Sequence, residues 1–416
     1  MDFDESAEES AFRAEAYSWL SEHAELKDPA AAAPVAGGGL DRVAEVEHVR
    51  QSKAWQRVLF DGGWAGITWP KEYGGRGGAP IEAIIFAQEQ SRFAVPGSVF
   101  AQGIGMAGPT IMAHGTEGQK QRFLEPMLRG DEVWCQLFSE PGAGSDLAAL
   151  ATSAVRDGDE FIVNGQKVWT SSAHFSDWGI LLARTDFDAP KHRGITYFLV
   201  DMTTPGIDVR PLRQATGASH FNEVFLTDVR IPADNVVGAV NGGWGVIMTT
   251  LTNERTMIGT GVGVGDAFGD IVRLAREVGR SIDPVDRQAL AETYIRLQLL
   301  KYLGWRIQTA VSRNEQPGPE SSVLKLGLSR HLGLTGDLVM SLQGPGATLF
   351  DYNDSSSNRW TLQFLGQWMS RIGGGTEQIQ RNIIAERVLG LPGEPRADKG
   401  VPFRQLATRG GARDAT

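Results

Sequence analysis

The chain has 416 residues, 41% apolar and 22% charged, with a net charge of −10 carried by dispersed acids. That length exceeds one compact core and predicts two or three domains, while the acidic balance argues against nucleic acid and anionic membrane as partners. The single cysteine, Cys135, excludes an internal disulfide framework and any cysteine-based zinc site, and no metal is expected. The N-terminus, M-D-F-D-E-S, is acidic where a signal peptide would be basic, and no apolar run of about 18 residues follows it, so a cytoplasmic location is expected.

From Ser10 to about Arg129 the pattern is helical, with segments over Val43–Phe60 and Ile81–Phe93. Between them W-A-G-I-T-W-P-K-E-Y-G-G-R-G-G lacks helical periodicity and reads as a loop. Gly103–Gly108 matches G-x-G-x-x-G, but no strand runs into it and Pro109 follows, so it reads as small residues that let helices approach. His114 reads as a solvated or capping residue, because no partner stands at metal-ligand spacing.

At Trp134 the texture changes to short strands. Asp157-Gly158-Asp159 and Asn164-Gly165 predict hairpin turns, and about seven or eight strands up to Val240 predict a small antiparallel β domain. Helix resumes at Gly242 or Gly243, with long segments near Trp244–Gly279, Pro284–Asn314, Ser321–Leu342 and Thr376–Leu389. The expected architecture is α+β: an N-terminal helical domain over 1–133, an antiparallel β domain over 134–240, a C-terminal helical bundle over 241–393, and a loosely held tail over 394–416.

Entry to the β domain is marked by Q-L-F-S-E-P-G-A-G-S-D (Gln136–Asp146). An apolar segment that breaks into a glycine-rich loop exposes backbone N–H groups, able to hold a phosphate or the polar edge of a flavin, with hydroxyls from Ser139 and Ser145. By itself the same segment also reads as a surface turn. Three further segments follow: N-G-Q-K-V-W-T-S (Asn164–Ser171), L-T-N-E-R (Leu251–Arg255) and G-G-T-E-Q-I-Q-R-N-I-I-A-E-R (Gly374–Arg387). In this order and spacing, over nearly the whole chain, the four segments resemble the acyl-CoA dehydrogenase family.

That resemblance implies FAD, lying along Gln136, Phe138, Ser139 and Ser145, with Ser145 also near the thioester. It implies an indole, Trp169, against the flavin ring, with Thr170 and Ser171 completing the element and the Ser171 hydroxyl at flavin N5. Gln343 and Gly344 of Q-G-P-G, and the run Gly375-Thr376-Glu377-Gln378, match the family's adenine and pyrophosphate contacts, which come partly from a partner subunit. An arginine of 276–287 (Arg276, Arg280 or Arg287) would reach across to a neighbour's FAD, although the usual R-x-x-F-G element is absent.

Many members of the family carry the catalytic base immediately before the G-T of the last segment, where this chain has Gly374. A minority branch carries it just before the arginine of the first long helix of the C-terminal domain, and here Glu254 precedes Arg255. The resemblance therefore implies Glu254 as the base, Arg255 as a substrate-side contact, and the Gly374 N–H as a donor to the thioester oxygen beside a flavin ribityl hydroxyl. Chemistry agrees: removing hydrogens from Cα and Cβ of a thioester needs a base, a hydride acceptor and donors for the developing enolate.

The expected activity is oxidation of an acyl-CoA to the trans-2-enoyl-CoA, with electrons passed to an electron-transfer flavoprotein, by a homodimer, homotetramer or mixed tetramer. Alternatives are an oxygen-using flavoenzyme on the same fold (acyl-CoA oxidase, nitroalkane oxidase or flavin monooxygenase), a non-catalytic subunit of a heteromeric dehydrogenase, and a flavin-free binding module. Gly259, Gly261, Gly263 and Gly265 are consistent with a wide acyl pocket or with close helix packing.

Overall fold

The computed structural model describes residues 5–28, 42–259, 268–313, 320–351, 358–396 and 398–406. The N-terminal helices are α1 (Ala7–His23), α2 (Arg42–Asp61), α3 (Pro80–Gln90), α4 (Gly108–His114) and α5 (Glu117–Arg129). Serine at the N-cap and glutamate three residues on start α1: Ser6 Oγ accepts from the Glu9 N–H while Glu9 accepts from the Ser6 N–H. Thr116 and Gln119 repeat the device on α5, which Gly130 ends at φ +82°. Phe12, Leu20, Trp64, Phe86 and Phe93 form the core of this layer.

The expectation for Gly103–Gly108 holds. Residues Gly103–Ala107 form one π-helical turn, and a Cβ on Gly108 would stand 2.3 Å from the Trp69 ring.

The middle domain contains β1 (Trp134–Leu137), β2 (Ser153–Asp157), β3 (Glu160–Ser171), β4 (Trp178–Arg184), β5 (Ile195–Asp201), β6 (Ile207–Leu212), β7 (Phe221–Pro232) and β8 (Val236–Val237), hydrogen-bonded in the order β6-β7-β3-β2-β4-β5-β8 with β1 on β4. Most pairs are antiparallel as expected, but β1 runs parallel to β4, and β2 touches β4 in parallel at Ser153 and Arg184. Strands β4 and β5 are buried on both faces. Ile180, Leu182, Tyr197 and Leu199 face the helices, while Leu181, Ala183, Phe198 and Val200 face the interior of the sheet. That is why these strands read as continuous apolar runs rather than alternating ones.

Asn164-Gly165 is not a hairpin turn. Strand β3 passes straight through it, with a register shift against β7 between Val163 and Gly165, which is a bulge. The Asn164 amide exchanges two hydrogen bonds with Asp228, at 3.0 and 2.9 Å. Glycine is needed at 165 because a Cβ there would lie 2.4 Å from Thr152 Oγ1 and 2.8 Å from Thr152 Cα. A Gly165→Ala variant is expected to lose about 1–3 kcal/mol of stability through overpacking, read as a lowered midpoint of chemical unfolding; an unchanged midpoint would mean that β2 can back away from β3.

The C-terminal helices are α6 (Gly243–Gly259), α7 (Phe268–Glu277), α8 (Pro284–Ser312), α9 (Glu320–Gln343), α10 (Arg359–Ile372) and α11 (Glu377–Ile383), the last continued by a π-helical turn over Ile384–Val388. The expected helix over Trp244–Gly279 is described as α6 and α7, and Gly261, Gly263 and Gly265 lie outside the described residues. Helix α10 has no counterpart among the long segments expected from the sequence.

The tail is not loose throughout. Between residues 398 and 406 it docks on the β4–β5 loop: the Phe403 and Arg404 N–H groups donate to the Ala189 and Phe187 carbonyls, and Asp398 pairs with Lys191. The Phe403 ring lies 3.7 Å from the buried Arg184 guanidinium. An apolar ring and two backbone bonds outweigh the Pro/Arg/Gly composition that suggested looseness.

Candidate active site

Two groups of residues make up the site. The first lies on the β domain. By the two-residue period of a strand, Gln136 and Phe138 share the helix-facing side with Trp134, and Phe138 meets Tyr197 edge-on at 6.0 Å. Ser139 is half-buried, with its carbonyl accepting from the Val168 N–H at 2.9 Å. The glycine loop that follows is open, with nothing within 4 Å of a Cβ built on Gly142 or Gly144, and Ser145 is exposed.

Beneath this loop sits a buried ion pair. The fully buried Lys167 donates to Glu140 Oε1 at 2.9 Å and to the Phe138 carbonyl at 3.1 Å. Glu140 also accepts from the Ala151 and Thr152 N–H groups at 2.7 and 2.8 Å. Burial alone would raise the Glu140 pKa, but the Lys167 ammonium and these donors outweigh it and hold the carboxyl below its usual range.

Trp169 adopts φ +62° and is 61% exposed, with Phe221 edge-on at 5.9 Å. A bulky residue in left-handed backbone is strained, and here the strain holds a flat apolar ring out toward solvent. A planar aromatic cofactor laid on that ring would bury it, so the residues of this face fit a flavin. Ser171 is half-buried. Thr170 between them turns inward: it is fully buried, and its carbonyl accepts from Asn222 Nδ2 at 3.0 Å.

The second group lies in the bundle. Helix α6 packs its first turns on the sheet through Val246 and Ile247 and through Thr250, whose hydroxyl lies 3.2 Å from Tyr197 OH and 2.9 Å from Thr110 Oγ1. Glu254 stands four residues after Thr250, hence on the same helix face one turn further on. Arg255 follows it on α6, with its side chain outside the described residues. His114, half-buried at the end of α4, has its Nε2 2.8 Å from Thr249 Oγ1, which ties α4 to α6.

Across from α6, the α10–α11 connection runs Gly373-Gly374-Gly375, with Gly374 at φ +63° and Gly375 at φ +87°. Lys325 of α9, only 7% exposed, donates from Nζ to the Ser370 and Gly375 carbonyls, each at 2.8 Å. Gln380 Nε2 donates to the Gly374 carbonyl at 3.0 Å. Burial lowers the Lys325 pKa, and the charges of Glu377 and Glu254 act against that. Helix α6, which carries Glu254, packs against α9, and no carboxylate stands in Gly373-Gly374-Gly375 itself.

Other expected contacts are committed within the chain. Thr376 caps α11 by accepting from the Ile379 N–H at 3.2 Å, and Glu377 pairs with Arg371 at 2.7 Å; Gln378 is exposed. Gln343 and Gly344 (φ +60°) lie at the far end of α9, about 27 Å from Lys325 at 1.5 Å per residue, so the structure does not bring them to Glu254. Near them Arg280 is held by Asp286 at 2.6 Å and by the Ser341 carbonyl at 2.6 Å, whereas Arg276 and Arg287 are exposed. Lys325 was missed by sequence reasoning. Its signal was present as one lysine inside the apolar run S-S-V-L-K-L-G-L.

Comparison with known proteins follows the same division. Sequence profiles of the acyl-CoA dehydrogenase family match as the N-terminal domain over residues 6–131, the middle domain over 135–229 and the C-terminal domain over 241–389. The acyl-CoA dehydrogenase IpdE1 of Mycobacterium tuberculosis is 40% identical over 386 residues, 92% of this chain and 98% of the relative. The acyl-CoA dehydrogenase FadE34 of the same organism is 44% identical over 350 residues, 84% of this chain; that match spans about half (48%) of the relative's length. Among solved structures, the Tcur3481-Tcur3483 steroid ACAD superposes with a TM-score of 0.77 at 30% identity, covering 95% of this chain and 100% of that one. The ChsE4-ChsE5 complex from Mycobacterium tuberculosis gives 0.75 at 30% identity, covering 94% of this chain and 100% of that one.

Proposed function

The chain belongs to the acyl-CoA dehydrogenase family, and from that premise we propose that it is an FAD-dependent enzyme converting an acyl-CoA thioester to the trans-2-enoyl-CoA, with an electron-transfer flavoprotein as acceptor. The observation that carries the reading is that α6, which bears Glu254, packs against α9, whose Lys325 grips a glycine loop that lacks a carboxylate of its own.

Gln136, Phe138, Ser139, Ser145, Trp169 and Ser171 would hold FAD, which when bound supplies the acceptor for the β-hydrogen. The protein's own part is threefold. Glu254 accepts the α-proton. The Gly374 N–H donates to the thioester oxygen as charge develops there, a role that needs no side chain and tolerates glycine. The apolar wall of Phe138 and Trp169 excludes water, which strengthens both interactions.

Gln343, Gly344 and an exposed arginine, Arg276 or Arg287, would act on a neighbouring subunit's cofactor, Gln343 standing at the opposite end of α9 from Lys325. The solved relatives named above are a steroid ACAD and a two-protein complex. A steroid-bearing acyl group and a mixed oligomer are therefore the first alternatives to test against straight-chain substrates and a homotetramer.

The test is anaerobic mixing with straight, branched and ring-bearing acyl-CoA thioesters while the flavin absorbance is followed. Bleaching by one class supports the reading and names the substrate. Flavin-loaded protein that no thioester bleaches would overturn it, and fast reoxidation of the bleached protein by O₂ would replace the electron-transfer flavoprotein with oxygen.

A further inference from the structure

We propose that Lys191 is a positioning residue for the glycine loop of the β domain, and that the tail segment 398–406 is a strap that holds it in that role. This rests on the reading that Ser139 and Ser145 of the loop hold FAD. The loop is fixed unevenly. Its first half closes on itself, the Glu140 and Ala143 N–H groups each donating to the other's carbonyl at 3.0 Å. Its second half, which carries Ser145, is tied through the next residue, Asp146. There the carbonyl accepts from the Ala149 N–H at 3.0 Å, and the carboxylate accepts from Lys191 Nζ at 2.7 Å. Glycine on either side of Ala143 leaves this backbone free to wander unless its far end is tied.

Lys191 belongs to the β4–β5 loop, with its side chain only 13% exposed, and its ammonium bridges Asp146 to Asp398 of the tail. A lysine in one exposed pair spends side-chain entropy for little gain and readily swings away. Between two carboxylates it is held in one place. Its neighbour His192 meets the Trp244 ring of α6 edge-on at 4.7 Å, so the loop that presents Lys191 is braced on the helix that bears Glu254.

The strap is seated by more than Asp398. Besides the two backbone bonds to the β4–β5 loop, Arg404 pairs with Asp188 at 2.9 Å, and the Phe403 ring packs on Phe187. The same ring covers the guanidinium of Arg184, a buried charge whose cost the negative face of the ring helps to offset. Arg184 in turn donates to the Ala148 and Leu150 carbonyls at 2.7 and 3.1 Å, just past the glycine loop, and to the Lys191 carbonyl at 3.2 Å. Strap and loop are therefore joined twice, at the surface through Asp398, Lys191 and Asp146, and beneath it through Phe403, Arg184 and Ala148. A loop already held in its binding shape binds more tightly, because less order remains to be imposed.

The test is FAD affinity. FAD-free protein is titrated with FAD while quenching of flavin fluorescence is followed, for wild type, Lys191→Met, Lys191→Arg, Asp398→Asn and the double variant Lys191→Met, Asp398→Asn. Lys191→Met is expected to bind FAD about three- to tenfold more weakly, the size of a lost pre-organisation. Lys191→Arg keeps the charge and reaches both carboxylates, and is expected to match the wild type. Asp398→Asn is expected to weaken binding by about two- to threefold in the wild-type background, and to add nothing in the Lys191→Met background, because the strap acts through that lysine. Equal affinities in wild type, Lys191→Met and Asp398→Asn would overturn this inference and leave the FAD reading intact. Losses that simply add in the double variant would overturn the link between strap and lysine. If Lys191→Met does not fold, Asp398→Asn decides, and wild-type affinity in it overturns the strap. A wild-type protein that takes up no FAD would overturn the reading and this inference together.

Discussion

In the Glu254→Gln variant, reduction of bound FAD by an acyl-CoA is expected to slow by about 10²–10⁴-fold, the usual contribution of a positioned base, with FAD content and unfolding temperature unchanged. Glutamine keeps the shape and the hydrogen-bonding reach of the side chain and removes only its ability to accept the proton. Cofactor binding should survive, because the residues proposed to hold the flavin, Phe138, Ser139, Trp169 and Ser171, belong to the β domain and Glu254 to α6. A reduction rate within threefold of wild type, measured by stopped-flow bleaching, would show that another group takes the proton. Moving the carboxylate to position 374 in the same variant should restore only part of the rate. Gly374 is left-handed at φ +63°, which disfavours a residue with a Cβ by about 1–2 kcal/mol.

Lys167→Met is expected to lower stability by about 3–5 kcal/mol, the cost of leaving a buried charge unpaired, and to reduce FAD content with it. Glu140, 9% exposed at its side chain, would keep only the Ala151 and Thr152 N–H donors. The Phe138 carbonyl, in the segment proposed to hold the flavin, would lose its ammonium donor. The double variant Glu140→Gln, Lys167→Met should recover much of the loss, because a neutral amide on the same two donors no longer strands a charge. In the parent protein Glu140's side of the pair contributes fully above pH 4.5, the ordinary glutamate value, and is lost as the pH falls through the lowered Glu140 pKa, while burial lowers the Lys167 pKa and works against the pair. A single variant as stable as the parent in thermal unfolding would mean that water reaches Glu140 from the loop side.

Layout was legible in the sequence and contact was not. The change at Trp134 from helical to strand texture, and back at Gly243, follows from residue periods that each element must obey to bury one face. Helix α2, α8 and α9 boundaries fall within two residues of the expected ones because Gly62-Gly63, Pro284 and the Gly344-Pro345-Gly346 turn mark them locally. Asn164-Gly165 misled because the same dipeptide suits a tight turn or a bulge, and what decides between them is Thr152, twelve and thirteen residues away in sequence, pressing on the glycine. Helix α10 was missed although R-W-T-L-Q-F-L-G-Q-W-M-S-R-I spaces Trp360, Phe364, Trp368, Met369 and Ile372 at helical intervals along one face. Of the candidate site, the residues placed by short motifs could be read directly. Lys325 could not, because its hold on the Ser370 and Gly375 carbonyls depends on α9, α10 and the α10–α11 connection meeting in space.

Helix α9 carries Lys325 near one end and Gln343 at the other, about 27 Å apart, and in the function proposed above its two ends would serve two different cofactor sites. If one subunit's Gln343 end completes its neighbour's flavin site, holding the cofactor and holding the oligomer become one linked equilibrium. Each flavin bound tightens assembly by the same factor by which assembly tightens the flavin. On dilution such a protein would shed its yellow colour as subunits part, well before any subunit unfolds.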